Sequence, residues 1–213
     1  NLWDTLDKRG GIDLTKLIVG SQGTLGIVTE IEFIHQPYQP DTELIAVFCQ
    51  NIEEVDKLIL GLSKYSPSSL EVVDHNLLEV LSQSHPRYIK GLVPEDFPKL
   101  MLLVEFDNKS KRVQKYYAKR AIKLIEKYGM GYRQAKTIDE AEAYWRIRHG
   151  AAAVLAMQDG RKKALPVIED LVVPMDKMVE FIAKINKLFE KYNLSIAIWG
   201  HGGDANFHIQ PYF

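Results

Sequence analysis

LMLLVEF at residues 100–106, then DNKS, then KRVQKYYAKRAIKLIEKYG ending at Gly129, sets two periodicities side by side. The first is an apolar run of strand length. In the second, Val113, Tyr117, Ala121, Leu124, Ile125 and Tyr128 form one stripe, which predicts an amphipathic helix over residues 109–128 that Gly129 terminates. The same strand-then-helix succession recurs on both sides. Toward the N-terminus, residues 43–49 read as a buried strand, and residues 52–62 as a helix with Ile52, Val55, Leu58, Ile59 and Leu62 at helical spacing. Residues 69–73 make a short strand and residues 76–82 a short helix, while residues 84–99, with three prolines and one glycine, read as a surface loop. Toward the C-terminus, residues 139–157 form a helix carrying Trp145, Ile147, Ala151, Val154 and Leu155. A strand over 167–173, a helix over 175–192 opened by Pro174, and a strand over 195–199 complete the pass. Short links imply antiparallel returns, so the expected fold is α+β: an antiparallel sheet with helices packed on one face, ferredoxin-like topology being the nearest simple description.

Composition bounds the partners. The 213 residues are 46% hydrophobic and 26% charged, which fits one ordinary domain, or one domain with a short piece of a neighbour. The 27 basic residues nearly cancel the 28 acidic ones, so neither nucleic acid nor an acidic solvating tail is indicated. The single cysteine, Cys49, follows an apolar run and reads as a small buried hydrophobe; a reducing compartment such as the cytoplasm is compatible with it. No apolar stretch reaches the ~20 residues that span a bilayer, and the start NLWDTLDKRGG lacks the features of a signal peptide, so the expectation is a soluble chain. It begins with Asn1 and finishes on IQPYF inside an expected strand, which reads as a cut at each end. QPYQPD at residues 36–41 is the best candidate for a domain boundary.

Two segments carry chemistry. LIVGSQGTLGIVTEIEF at residues 17–33 reads as strand, tight loop, strand, with Gly20, Gly23 and Gly26 three apart. Glycines there permit positive φ and let a ligand approach the backbone, and Ser21 and Thr24 add hydroxyls; a plain turn between strands is the other reading. It is not the dinucleotide fingerprint, which a helix follows, nor a P-loop, which needs Gly-Lys-Ser/Thr. The second segment, WGHGGDANFHIQ at residues 199–210, sets His201 and His208 on either side of a turn-rich GGDAN. On the arms of a hairpin the two imidazoles meet near its mouth, where facing Cβ atoms lie ~5 Å apart. Two neutral imidazoles are half of a typical Zn, Mn or Fe(II) site, and a third protein ligand is usual. Asp204 is the carboxylate inside the motif, and on spacing alone structural histidines remain as good a reading.

The block DLTKLIVGSQGTLGIVTE (residues 13–30) closely resembles the end of the FAD-binding domain in flavoproteins of the vanillyl-alcohol oxidase and p-cresol methylhydroxylase type, with Gln22 in place of the usual Glu. GHGGDANFH (residues 200–208) resembles that family's second hallmark, Gly-His-x-Gly-Asp-Gly-Asn-x-His, with Ala205 where Gly is usual; alanine costs little there unless the position needs φ > 0. Between them MLLVEF (101–106), YWRIRHG (144–150) and IEDLVVP (168–174) resemble further family elements, so the likeness runs through essentially the whole chain. The relatives are FAD-linked D-2-hydroxy acid dehydrogenases and oxidases: D-lactate dehydrogenase, the D subunit of glycolate oxidase and D-2-hydroxyglutarate dehydrogenase.

This resemblance implies that residues 1–36 are the tail of an FAD-binding domain and residues 37–213 a substrate-binding cap. Gly20, Ser21, Gly23, Thr24, Gly26, Ile27 and Val28 would line the flavin. Arg148 would grip the α-carboxylate of a small 2-hydroxy acid through two parallel hydrogen bonds, with Asn206 and Gln210 also on the substrate. Without the resemblance, Arg148 reads as a surface helix residue paired with a carboxylate. His201 and His208 would hold a divalent Zn, Mn or Fe(II) that acidifies the substrate hydroxyl while hydride passes from Cα to the flavin, making Arg148, His201 and His208 the catalytic set. Ala152 and Ile168 stand where the hydroxyglutarate enzyme has a hydroxyl residue and a lysine, which puts recognition of a second carboxylate in doubt. The family's downstream Glu-His pair, which supplies the third ligand and the base, does not occur here, so the chain alone is expected to be inactive. The resemblance leaves a homodimer, peripheral membrane attachment and the electron acceptor open. A non-catalytic ferredoxin-like binding or assembly subunit of a multi-subunit oxidase is the alternative.

Overall fold

The computed structural model describes residues 5–6, 10–35, 39–107, 110–156 and 168–212. The expected limits at Lys109, Met157 and Val167, and the boundary residues Gln36, Pro37 and Tyr38, lie outside these. The chain divides into two compact units, Asn1–Tyr38 and Gln39–Phe213.

In the first unit the expected strand-loop-strand is not formed. Its described residues hold one short helix, α1 (Thr15–Ile18), an isolated bridge between Leu6 and Ile12, and turns around the glycines. Ser21 N–H donates to Ile18 O (3.0 Å), and Thr24 N–H (3.0 Å) and Oγ1 (2.6 Å) both reach Ser21 O. The reason lies in pairing: a β-branched run becomes a strand only against a neighbour that completes its ladder, and Ile27, 93% exposed, has none here.

The second unit is built on one seven-stranded sheet. Its strands are β1 (Glu43–Cys49), β2 (Ser69–Asp74), β3 (Leu100–Phe106), β4 (Gly131–Gln134), β5 (Ile168–Val172), β6 (Ser195–His201) and β7 (Asn206–Tyr212). Spatial order is β4-β1-β3-β2-β6-β7-β5, and every neighbouring pair is antiparallel. The helices are α2 (Val55–Ser63), α3 (His75–Ser84), α4 (Pro86–Ile89), α5 (Lys111–Lys127), α6 (Ile138–His149), α7 (Ala151–Ala156) and α8 (Met178–Glu190).

Helices cover both faces of this sheet, which corrects the expectation of one-face packing. On one face α2, α5 and α8 bring Leu58, Ala121 and Ile182 onto Ile45, Leu102 and Ile198; on the other, α3, α6 and α7 bring Leu78, Ile147 and Leu155 onto Ala46, Leu103 and Ala197. The physical cause is in the strands themselves. β1 is buried at all seven positions and β3 at six of seven, and a strand without polar alternation must have both faces covered. The second unit accordingly has three layers, and its seven-stranded sheet is wider than that of a ferredoxin-like unit. Strand β4, with the weakly apolar sequence GYRQ, forms because it pairs along β1 at the sheet edge. The single helix expected over 139–157 is two, α6 and α7, meeting at Gly150; a Cβ there would lie 2.8 Å from Arg146 O.

Local capping fixes the helices that frame the site. Thr137 caps α6, its Oγ1 accepting from Glu140 N–H (3.2 Å), and the Glu140 carboxylate accepts from Lys136 N–H (2.6 Å). Asp74 ends β2 and caps α3 by accepting from Leu77 N–H (2.9 Å); burial pushes its carboxyl up to about 7. Cys49 is buried, and burial pushes its thiol up to about 12. Among the described residues no helix is long and apolar enough to cross a membrane.

Candidate functional site

Alternation along β2, β6 and β7 decides which side chains meet. In register, Glu71 faces His201, His201 faces Asn206, Trp199 faces His208, and Ala197 faces Gln210. Side chains two apart share a face, so Glu71, His201, Asn206, His208 and Gln210 all stand on the side of Trp199 and Ala197. His201 and His208 are diagonal neighbours, with ring centroids 6.0 Å apart and planes at 76°. Trp199 stacks on His208 at 5.6 Å. Asp170, on edge strand β5, lies 3.7 Å from His208 Nδ1 and accepts from Asn206 Nδ2 at 3.5 Å.

The turn between these arms is tight. A Cβ at Gly200 would sit 2.1 Å from Asn206 O, and one at Gly202 would meet Val72 Cγ2 at 2.6 Å. Ala205 adopts φ 48°, ψ 38°, the left-handed region, so the position does need φ > 0 and alanine carries strain of about 1–2 kcal/mol there.

Helix α6 delivers the cation. Trp145 and Arg148, three apart, point to the same side of the helix and dock on carboxylates of adjacent strands. Trp145 Nε1 donates to Glu105 Oε1 (3.1 Å), which Thr42 Oγ1 also reaches (2.9 Å), while Arg148 Nε donates to Glu71 Oε2 (2.7 Å). Arg148 is 8% and Glu71 7% exposed, so this is a desolvated ion pair rather than a surface contact. The other Glu71 oxygen, Oε1, lies 2.9 Å from His201 Nδ1 and 3.1 Å from Ser69 Oγ.

Of the residues singled out in the sequence, Arg148, His201, His208, Asn206 and Gln210 thus gather on one face of the second unit. Gln210 is buried, and its Oε1 has no hydrogen-bond partner among the described residues. Gly20, Ser21, Gly23, Thr24, Gly26, Ile27 and Val28 lie in the first unit, where Gly20 (φ 83°) and Gly23 (φ 75°) use left-handed conformations. No atom lies within 4 Å of a Cβ built on Gly20, Gly23 or Gly26, so packing does not demand glycine at these positions. Among the described residues no three His, Cys, Asp or Glu side chains form a group able to hold a metal ion.

The residue that sequence reading missed is Glu71. Its signal was present: one glutamate set among the apolar residues of LEVV, Leu70 to Val73, where burial demands a partner.

A model of the FAD linked oxidases, C-terminal domain, matches residues 39–213. The chain belongs to this family. Among curated proteins it is 34% identical over 204 residues to glycolate oxidase subunit GlcD of Bacillus subtilis, covering 93% of this chain and 41% of that protein. It is 24% identical over 210 residues to D-lactate dehydrogenase of Archaeoglobus fulgidus, covering 97% of this chain and 44% of that protein. D-2-hydroxyglutarate dehydrogenase of Escherichia coli is 24% identical over 217 residues, 96% of this chain and 21% of its own length. This chain therefore spans less than half of these FAD-linked oxidase relatives. Among solved structures, alkyldihydroxyacetonephosphate synthase superposes with a TM-score of 0.59 at 17% identity, over 97% of this chain and 43% of that one. p-Cresol methylhydroxylase gives 0.56 at 13% identity, over 83% and 39%. Both likenesses show the fold.

Proposed function

We propose that this FAD-linked oxidase domain is the substrate-binding part of a flavin-dependent dehydrogenase that oxidises a small D-2-hydroxy acid, lactate-like or glycolate-like, to the 2-oxo acid. The observation that carries the reading is the gathering of Arg148, His201 and His208 on one sheet face, in a chain whose curated relatives are named for glycolate and D-lactate. Residues 1–36 are proposed as the tail of the FAD-binding domain, in keeping with the division at Tyr38 and the family match from residue 39. Its glycine loop, open at Gly20, Gly23 and Gly26, suits a ligand approaching the backbone.

The residues fit a divalent Zn, Mn or Fe(II) in part. Nδ1 of His201 is turned to Glu71 and Nδ1 of His208 to Asp170, the carboxylate–histidine arrangement that orients Nε2 for ligation, but two nitrogens are only half of a donor set. When bound, such a metal would acidify the substrate hydroxyl and FAD would accept the hydride from Cα. Arg148 would bind and orient the substrate carboxylate, with the guanidinium plane held by Glu71. Gln210 Oε1, buried without a partner, would accept from a ligand hydroxyl, which relieves its unsatisfied state. Trp199, stacked on His208, would keep that ring from turning. Buried Cys49 accords with a reducing compartment, and the cytoplasm is the proposed location.

The test uses the complete gene product. Its flavin absorbance is expected to bleach anaerobically on adding D-lactate or glycolate, and Arg148→Ala is expected to cost roughly 2–4 kcal/mol in kcat/KM with FAD content unchanged. A flavoprotein that D-lactate, glycolate and D-2-hydroxyglutarate all leave oxidised would overturn the reading and favour a non-catalytic subunit.

A further inference from the structure

We propose that Glu71 is the positioning residue of this site: it sets which nitrogen of His201, and which edge of Arg148, is presented to ligand. The inference rests on the function proposed above. Glu71 stands directly across the β2–β6 pair from His201, and the close passage of the Gly202 backbone over Leu70 and Val72 holds the two side chains together.

Donor and acceptor chemistry then fixes both partners. An arginine Nε is only a donor, and Glu71, ionised beside that cation, only accepts. His201 Nδ1, 2.9 Å from Glu71 Oε1, must therefore carry the proton whenever the ring is neutral. Its lone pair lies on Nε2, which is the nitrogen left to meet a ligand. An unconstrained imidazole prefers the opposite tautomer, so the carboxylate reverses an intrinsic preference. At Arg148 the bond from Nε to Oε2 (2.7 Å) fixes the guanidinium plane, so that an incoming carboxylate meets the two terminal nitrogens end-on. Ser69 Oγ, 3.1 Å from Oε1, steadies the carboxylate in this double role.

Glu71→Gln gives the test its edge, since it keeps size and shape while removing one acceptor. Arg148 Nε still demands an acceptor and takes the amide oxygen, so the amide NH2 must face His201 Nδ1. That reverses the tautomer. Long-range 1H–15N NMR on the chain with labelled histidine, at about pH 8.5 where an ordinary imidazole is neutral, reads it directly. The expected result is His201 with its proton on Nδ1 in the wild type and on Nε2 in Glu71→Gln. A purely structural glutamate would change stability without this exchange. Zinc alone, titrated into both by calorimetry, is expected to bind the variant about 10- to 100-fold more weakly, because its Nε2 is protonated. A wild-type His201 already protonated on Nε2 would overturn the proposal whether or not the variant folds, and so would a folded Glu71→Gln that keeps the Nδ1 proton. A wild type that shows the Nδ1 tautomer and takes up no zinc would instead sink the metal reading of the site and leave the role of Glu71 standing.

Discussion

The ion pair between Arg148 and Glu71 sets a thermodynamic expectation that is separate from catalysis. Its side chains are 10% and 9% exposed and meet at 2.7 Å, so both charges have left water. Arg148→Met keeps the apolar stem and removes the charge. Glu71 then retains His201 and Ser69 but loses its counter-charge, and uncompensated buried charges of this kind cost about 3–5 kcal/mol. Against a total of about 5–15 kcal/mol that is a large fraction, and at about 2–4 °C per kcal/mol for a chain of this size the midpoint should fall by roughly 6–20 °C. Glu71→Leu alone should cost a similar amount, because it strands the guanidinium. The double variant Arg148→Met with Glu71→Leu strands neither, and should return to within about 1 kcal/mol of wild type. Urea unfolding followed by tryptophan fluorescence measures all four proteins. Additive losses in the double variant, or a cost below about 1 kcal/mol for Arg148→Met, would show that the pair is solvated and the reasoning from burial wrong.

Asp74→Asn tests the raised carboxyl. With its folded value pushed up to about 7 from 3.8, folding takes up a proton, so this group's contribution is intact below about pH 4 and is lost as pH rises to 7, by at most about 4 kcal/mol. Asparagine keeps the acceptor for Leu77 N–H, so its stability relative to wild type should climb between pH 4 and 7 and level off above; a constant difference across that range refutes the shift. Gly200→Ala should cost about 3 kcal/mol or more, since its Cβ would fall on backbone at 2.1 Å, whereas Gly203→Ala, with nothing nearer than 3.5 Å, should pass within about 1 kcal/mol in denaturant melts. Iodoacetamide at pH 8 should label Cys49 only on unfolding, and fast labelling of the native chain would contradict its burial.

Much of this fold was legible because periodicity and burial agree. β1 and β3 fall where the apolar runs of residues 43–49 and 100–106 predicted them, and α5 follows the stripe through Ala121 and Ile125. What escaped was whatever depends on a distant partner. β4 owes its existence to β1, and residues 17–33 hold strand-forming side chains with no ladder to join. The lack of alternation in LMLLVEF is the local signal for two covered faces, whereas the number of layers depends on how distant elements pack. At the site, the hairpin geometry of His201 and His208 followed from a turn flanked by strand sequence. Glu71 did not, since 130 residues separate it from His201 and only the sheet order makes them neighbours.

The seam between β2 and β6 is only three residue pairs long: Glu71 with His201, Val72 with Gly200, and Val73 with Trp199. It joins strands drawn from residues 43–134 to strands drawn from residues 168–212. A chain that has completed only the earlier strands owns Glu71 without His201 or His208, and one that has completed only the later strands owns those two imidazoles without Glu71. Pairing between strands so distant in sequence is intrinsically slow. The pairing of Glu71 with His201 therefore exists only where both groups of strands have joined in one sheet.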